Sequence, residues 1–166
     1  MAEETRTLGL EKIEVGPIAT DGSMSINLAV LGKTYRDTAE ITQEDPEVIE
    51  HFSEESDEPE EVDEIKGATT IRWSIMDCDP DTLVQVLGGA AVGIGADRKW
   101  EAPASSVLIE KSVKITPRKG LPVSFPRVKI SAKVNYRLAR NGIFLVEIIG
   151  RVLQPTKIDE ASMVVG

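Results

Sequence analysis

Alternation of apolar and polar residues is the dominant pattern along this chain. From Arg127 to Leu138 every second residue is apolar, starting at Val128, and every residue between is polar or basic. Because successive side chains of a strand point to opposite faces of a sheet, this pattern predicts a long half-buried strand. The Asn141-Gly142 turn signal follows, and Ile143 to Leu153 is apolar on both faces, which predicts a hairpin whose second strand is more deeply buried.

Shorter runs of similar residues predict the remaining strands. Ala68 to Met76 and Val107 to Ile115 alternate over most of their length. Weaker candidates are Leu8 to Ile18, Ser25 to Leu31 and Thr34 to Gln43. About seven strands separated by turn signals are typical of an all-β, mainly antiparallel sandwich or barrel, and the length suits one domain covering residues 1–166.

One short helix is predicted shortly after the strand that ends at Met76. Asp79 suits the N-cap, Pro80 suits the first helical position, and Asp81 complements the helix dipole. Gly88 follows as a stop signal. The apolar residues of its predicted buried face are Leu83, Val84 and Leu87. We therefore expect a β-sandwich or β-barrel with one short flanking α-helix.

Charge is distributed unevenly along the chain. The 166 residues carry 28 acidic and 19 basic side chains, a formal net charge of -9. Glu40 to Glu64 contains 13 acidic residues and no Lys or Arg, whereas Arg98 to Arg140 contains 11 basic residues and two acidic ones. Segments of like charge are either solvated, solubilising faces or partners for a surface of opposite charge. Glu44 to Asp63 also exceeds ordinary loop length, about 12 to 15 residues, and is predicted to be a long acidic loop.

The sequence offers no motif for catalysis, cofactor binding or metal binding. Asp77 to Asp81 begins like an EF-hand loop, but Thr82 and Gly88 stand where that loop requires Gly and Glu. Gly93-Ile94-Gly95 has no third glycine in the register of a dinucleotide fingerprint, and no phosphate-binding loop signature follows. We therefore expect no enzyme activity, no cofactor and no metal site.

The lone histidine and the lone cysteine do not change this prediction. His51 lies in the acidic segment without an accompanying nucleophile motif, so a solvated side chain is expected. Cys78 sits beside the predicted helix start, which can lower a thiol pKa, but burial as a small apolar residue is the favoured interpretation. A single cysteine cannot form an internal disulfide, and a reducing compartment is the simplest assumption.

Hydropathy and charge also exclude several partners. No apolar run reaches the roughly 18 to 20 residues of a membrane span, and the acidic start, Glu3-Glu4, lacks the features of a secretory signal. We expect no membrane contact. The basic face between Arg127 and Arg137 lacks aromatic platforms, and a pI near 4.7 opposes nonspecific polyanion binding, so a stand-alone nucleic-acid binder is not expected.

The order of these segments carries a resemblance to a known family. Its parts are Lys33 to Pro46, the long acidic loop, the strand Thr69 to Met76, the helix region Asp79 to Gly89, and the closing hairpin Pro126 to Ile148. Together they resemble phage tail tube proteins, also called major tail proteins, over roughly Lys12 to Gln154. The inner tubes of contractile injection machines share that fold.

The resemblance implies a structural virion protein. It implies hexameric rings that stack head to tail into the tail tube, which conducts DNA from the capsid to the host without binding it specifically. The expected partners are further copies of the chain and other tail proteins, such as tape measure, terminator or baseplate components. The expected location is the virion tail, assembled in the host cytoplasm. The alternatives are the inner tube of a contractile tail or injection apparatus, and a monomeric β-sandwich binding module.

Within such an assembly we expect the acidic loop to contact an adjacent subunit or ring. The candidate interface residues are Glu44, Asp45, Glu47, Glu50, Glu54, Glu55, Asp57, Glu58, Glu60 and Glu61 on the acidic side, with Arg118, Lys119, Lys129 and Lys133 on the basic side. The resemblance also places the basic stripe Lys129, Lys133 and Arg137 near the lumen. Either that face turns toward a neighbouring subunit or the lumen is less negative than expected. The stretch Thr156 to Gly166 is either an assembly arm or a frayed end.

Overall fold

The computed structural model describes residues 4–166 and consists mainly of antiparallel β-sheet. The early strands of this part of the chain are β1 Lys12–Gly16, β2 Ala29–Val30, β3 Glu40–Gln43, β4 Glu47–Phe52, β5 Pro59–Ile65 and β6 Thr69–Ile75. Helix α1 Pro80–Leu87 follows, and a 3-10 turn spans Gly95–Asp97. The later strands are β7 Ala90–Val92, β8 Lys99–Glu101, β9 Ile109–Thr116, β10 Val123–Tyr136, β11 Phe144–Val152 and β12 Val164–Val165.

The large sheet has the strand order β2-β1-β9-β10-β11-β6-β3, and β12 pairs with the first residues of β10. The pairings in it are antiparallel. Strand β10 is central, and its residues Val128 to Tyr136 lie opposite Val152 to Phe144 of β11. The predicted all-β fold with one short helix is confirmed. The predicted hairpin is confirmed too, although residues 137–143 make a longer connection than a two-residue turn.

One face of the large sheet forms the core. Its fully buried side chains come from β6, β9, β10 and β11, and include Trp73, Val113, Phe125, Val128, Val146 and Ile148. Leu83 and Val86 of α1 pack against this face and cover it. The opposite face carries charged residues such as Lys129 and Arg151, which are exposed. The sheet is therefore amphipathic, as the alternating pattern requires.

Helix α1 begins and ends where the sequence predicts. The Asp79 carboxylate caps it, accepting hydrogen bonds from the Thr82 backbone N–H at 3.3 Å and the Thr82 hydroxyl at 2.8 Å. Gly88 ends it with φ +76°, a left-handed conformation that favours glycine. The prediction of the buried face was partly wrong, because Leu83 and Val86, three residues apart, are the buried pair, and Val84 is only half-buried.

Each of the seven predicted strand segments contains a strand, but several are shorter than predicted. Ser25 to Leu31 contains only β2, and Thr34 to Gln43 contains only β3. The prediction that the second strand of the hairpin is the more deeply buried one is confirmed, because Phe144 to Val152 has two exposed residues and the paired Val128 to Tyr136 has six. This burial is confined to one face. Val146, Ile148 and Gly150 are buried, whereas Ile149 and Arg151 on the other face are exposed, because no second layer covers that side.

The segment Glu44 to Asp63 is the main correction to the sequence prediction. It is a β-hairpin, β4 and β5, rather than an irregular loop. The β-branched residues Val48, Ile49 and Val62 favour extended backbone within the acidic run. At the other end of the chain, Val164–Val165 pairs with Val123 and Ser124, so this stretch forms a short strand on its own subunit rather than a frayed end.

Candidate assembly surfaces

The acidic hairpin, defined as β4, β5 and the turn between them, projects from the sheet without a covering layer. Glu47 lies opposite Ile65 and Glu50 opposite Val62, and a bulge occurs between His51 and Phe52. Every residue of both strands is exposed. The predicted acidic interface residues are all on or beside this element: Glu44 and Asp45 precede β4, Glu47 and Glu50 lie in β4, Glu54, Glu55, Asp57 and Glu58 lie in the turn, and Glu60 and Glu61 lie in β5.

Apolar side chains accompany these carboxylates. Val48, Ile49, Phe52, Val62 and Ile65 are all exposed, with Phe52 at 58% and Ile65 at 53%. They are distributed over both faces of the hairpin, since Ile49 and Ile65 share one face and Val48 and Val62 share the other. An isolated two-stranded hairpin is only marginally stable in water. The acidic hairpin therefore gains stability from any surface that covers these side chains.

The negative charge of the acidic hairpin is not neutralised within the subunit. Its one ion pair in the described residues joins His51 Nε2 to Asp63 Oδ2 at 3.8 Å, and it exists only when the histidine is protonated. Between residues 4 and 166, no Lys or Arg nitrogen lies within 4.0 Å of its carboxylates. Repulsion among so many close carboxylates makes a basic neighbour favourable.

The four predicted basic partners are not equivalent. Lys133 is already paired with Glu147, Nζ to Oε2 at 3.2 Å, and hydrogen bonds from Asn135 and Lys133 lower the pKa of Glu147. Lys129 lies opposite Arg151 on β11 and makes no ion pair in the described part of the chain. Arg118 and Lys119 are exposed between β9 and β10 and, within residues 4–166, are also unpaired. None of the four contacts the acidic hairpin of its own chain through an ion pair.

Another cation on the charged face has a structural role instead. Arg127 makes a bidentate pair with Glu110, Nε to Oε2 at 3.1 Å and Nη2 to Oε1 at 3.0 Å. Its Nη1 also donates to the Gln154 carbonyl at 3.0 Å. The Arg127 hydrogen bonds hold the pKa of Glu110 below its ordinary value. This pair ties β9 to β10 and leaves Arg127 unavailable to a partner.

The far end of the β10–β11 hairpin is an exposed surface of which the sequence prediction singled out only Arg137. We define the basic tip as Val134, Tyr136, Arg137, Leu138 and Arg140. Its apolar members were predicted to be buried, yet Tyr136 is 52% and Leu138 84% exposed. The reason is that β9 pairs with β10 only as far as Ile130, so beyond it β10 has β11 as its sole neighbour. The unbroken alternation up to Leu138 could not reveal where the adjacent strand ends.

A groove of about 780 Å³ opens between the two margins of the large sheet. Ile13 and Ile115 line one side, and Ile41 and Ile71 line the other, so the sheet curls toward a barrel that is not closed. The charged residues around it, Arg36, Asp37, Glu40 and Arg118, are all exposed. Among the described residues that line the groove, no charged side chain is buried.

The sequence-level candidates for chemistry have structural roles. Asp77 accepts a hydrogen bond from the Lys33 backbone N–H at 2.8 Å, Asp79 caps α1, and Asp81 pairs with Arg98 at 2.6 Å. Within the described residues, no group of three or more His, Cys, Asp or Glu is arranged to hold a metal ion. Burial, with the nearby Asp77 and Asp79 charges, raises the pKa of the Cys78 thiol and so disfavours the reactive thiolate.

Comparisons with known proteins assign no family. No protein-family model matches the chain, and no curated protein matches it well enough to count as a relative. In the part of the chain that the structure describes, no helix combines the length and apolar character needed to cross a membrane. The functional argument therefore rests on the fold and on the surfaces described above.

Proposed function

We propose that this chain is a structural subunit of a phage tail tube, forming hexameric rings that stack into a conduit for DNA. The observation that carries the proposal is the acidic hairpin. It combines exposed apolar side chains with carboxylates that no Lys or Arg of the described residues neutralises. Such an element is favourable in an assembly, where a neighbouring copy supplies both cover and positive charge.

The architecture supports this proposal in two further ways. An all-β sheet with a single capping helix leaves one broad charged face and two projecting hairpins available for contacts. Different surfaces on the two sides of a subunit produce heterologous contacts, which build rings when they close and filaments when they do not. The proposed partners are other copies of the chain and other tail proteins in the virion, with DNA passing through the lumen without specific binding.

Two alternative functions remain distinct from the leading proposal. The inner tube of a contractile tail or injection apparatus would use the same ring assembly and bind a sheath on its outer surface. A monomeric β-sandwich binding module would use the acidic hairpin for a different basic protein and would not self-associate. Concentration-dependent assembly of the purified chain separates the second alternative from the other two.

Reversing charges on the acidic hairpin tests the proposed assembly role. A variant with Glu50→Lys, Glu54→Lys and Glu60→Lys should remain folded as a monomer, because these residues are exposed and contribute nothing to the core. It should lose assembly into large species in sedimentation velocity. A matched control reverses three exposed acids elsewhere, Glu11→Lys, Asp97→Lys and Glu101→Lys. Equal assembly of both variants would contradict the proposed role of the hairpin.

A further inference from the structure

The acidic hairpin and the basic tip lie at opposite ends of the large sheet. Gln43 pairs with Thr69, and the Glu44 N–H donates to the Ala68 carbonyl at 2.9 Å, so the acidic hairpin leaves the sheet where β6 begins. Strand β11 is antiparallel to β6, and its Val146 lies opposite Ile75, the last residue of β6. The β10–β11 connection therefore projects beyond the other end of β6.

The two ends carry opposite charge and the same kind of apolar surface. Arg127 to Val146 contains five basic residues and no acidic residue. Arg137 and Arg140 of the basic tip are exposed, and within residues 4–166 neither makes an ion pair. Between them Leu138 is 84% exposed, and the half-exposed Tyr136 ring packs against Phe144 with a centroid separation of 5.4 Å.

Nearby acids make no ion pair with the basic tip in residues 4–166. Cys78 Sγ contacts the carbonyl of Phe144, the partner of Tyr136, at 3.6 Å, so the Asp77 to Asp81 segment lies beside the first residue of β11. Those carboxylates are engaged by the Lys33 backbone, the α1 N-terminus and Arg98. Glu147, the acid nearest in sequence, is engaged by Lys133 and Asn135.

We propose that the basic tip of one copy receives the acidic hairpin of the next copy, in a head-to-tail contact. The proposal rests on the self-assembly proposed above and names the receiving surface. Arg137 and Arg140 supply the positive charge that the acidic hairpin lacks, and the exposed apolar side chains of both elements bury one another. Because the two surfaces lie at opposite ends of one sheet, repeating the contact extends a polar stack instead of closing a dimer.

This surface differs from the basic partners predicted from the sequence. Of those four residues, Lys133 is paired within the subunit, and Lys129 lies in β10 opposite Glu110 of β9. Arg118 and Lys119 lie between β9 and β10 rather than on the β10–β11 tip. Arg118–Lys119 and Arg137–Arg140 are both exposed pairs of unpaired cations in the described chain. They therefore make matched competitors for the same experiment.

A charge-swap experiment on the full chain tests the proposal. Glu54→Lys with Glu55→Lys, or Arg137→Glu with Arg140→Glu, should each raise the dissociation constant for self-association by at least about tenfold in sedimentation velocity. All four changes together should restore association to within about threefold of the wild-type value. The matched control combines the hairpin changes with Arg118→Glu and Lys119→Glu, and should not restore it. Circular dichroism of each dilute variant verifies folding.

The results of the charge swap separate a wrong receiving surface from a wrong proposed function. The basic tip is not the receiving surface if the Arg137→Glu, Arg140→Glu variant associates as tightly as the wild type. The same conclusion follows if Arg118→Glu with Lys119→Glu restores association of the hairpin variant. Both results leave the proposed tube assembly intact. If the Arg137→Glu, Arg140→Glu variant associates normally but no longer binds a DNA oligonucleotide that the wild type binds, the basic tip is a nucleic-acid surface. That result also contradicts the proposal. A wild-type chain that never self-associates overturns both this inference and the proposed function.

Discussion

Gly150 on β11 occupies a position where the core has no room for a side chain. A Cβ there would lie 2.7 Å from Val128 Cγ1, which is shorter than any ordinary carbon contact. Val128 is completely buried and belongs to the central strand, so it cannot move aside without disturbing its neighbours. A single hydrogen on Gly150 thus permits the close packing between β10 and β11.

Replacing this glycine should lower the free energy of unfolding. We expect Gly150→Ala to cost about 1–3 kcal/mol through overpacking, despite the better strand propensity of alanine. Urea unfolding of the dilute protein measures the loss. Arg151→Ala, one residue along on the exposed face, is the matched control and should change stability by less than about 0.5 kcal/mol. Equal stability of the two variants would show that the β10–β11 interface is looser than described.

The Glu110–Arg127 pair predicts a pH dependence of stability. Because the pKa of Glu110 is lowered in the folded state, its ionised form stabilises the fold above the unfolded glutamate pKa, about 4.3. This contribution is lost as the pH falls from there through the lower folded value. Glu110→Gln should therefore flatten the decline of the urea midpoint below about pH 4.3. Glu11→Gln, at an exposed acid with no ion pair in residues 4–166, should retain the wild-type slope.

Among the elements, the acidic hairpin stands apart from the rest of the fold. Its strands contribute no side chain to the buried core, and both of its faces are open to solvent. Stability in proteins is not uniform, and elements with few buried contacts open at low energetic cost. We therefore expect the stability of the acidic hairpin to increase when a partner covers it.

Hydrogen exchange should resolve this difference. In dilute protein, amides of the acidic hairpin should exchange at least about a hundredfold faster than those of Val128 to Ile130 in the core. After assembly they should become protected, because a neighbouring copy covers them. The small β7–β8 hairpin is the internal control and should not change. Exchange of the acidic hairpin that is identical in dilute and assembled protein would contradict its role at the contact.

The sequence predicted those elements whose burial is one-sided. Strands β6, β9, β10 and β11 alternate because one face packs against the core, and α1 is bounded by Asp79 and Gly88. The acidic hairpin has no buried face, so its apolar and acidic residues follow no clear alternation. The basic tip is exposed because β9 stops pairing with β10 at Ile130. The local sequence of β10 does not show where its neighbouring strand ends.

The candidate site was predictable only in part, for the same reason. Dense like charge at Glu44 to Asp63 marked the segment as a surface element from the sequence alone. The choice of the basic tip as the proposed receiving surface depends on contacts distant in sequence. Lys133 is occupied by Glu147 and Arg127 by Glu110, and only the folded chain distinguishes these cations from the unpaired ones.

At the scale of the whole molecule, charge is separated along the sheet. The acidic hairpin extends from one end and the basic tip from the other, and the charged face between them carries the Arg127–Glu110 and Lys133–Glu147 pairs. The proposed head-to-tail contact would align further copies in one direction, as the proposed stacked tube requires. Its net charge of -9 also disfavours retention of DNA passing through such a tube.

Negative-stain electron microscopy of the purified full chain at high concentration, with sedimentation velocity of the same sample, tests the central claim most directly. Assembly into hollow rings with six subunits, stacked into tubes, is the predicted result. A single sedimenting species at the monomer mass of 18.1 kDa at every concentration, with no rings in the images, would contradict the account. That result would favour a monomeric binding module instead.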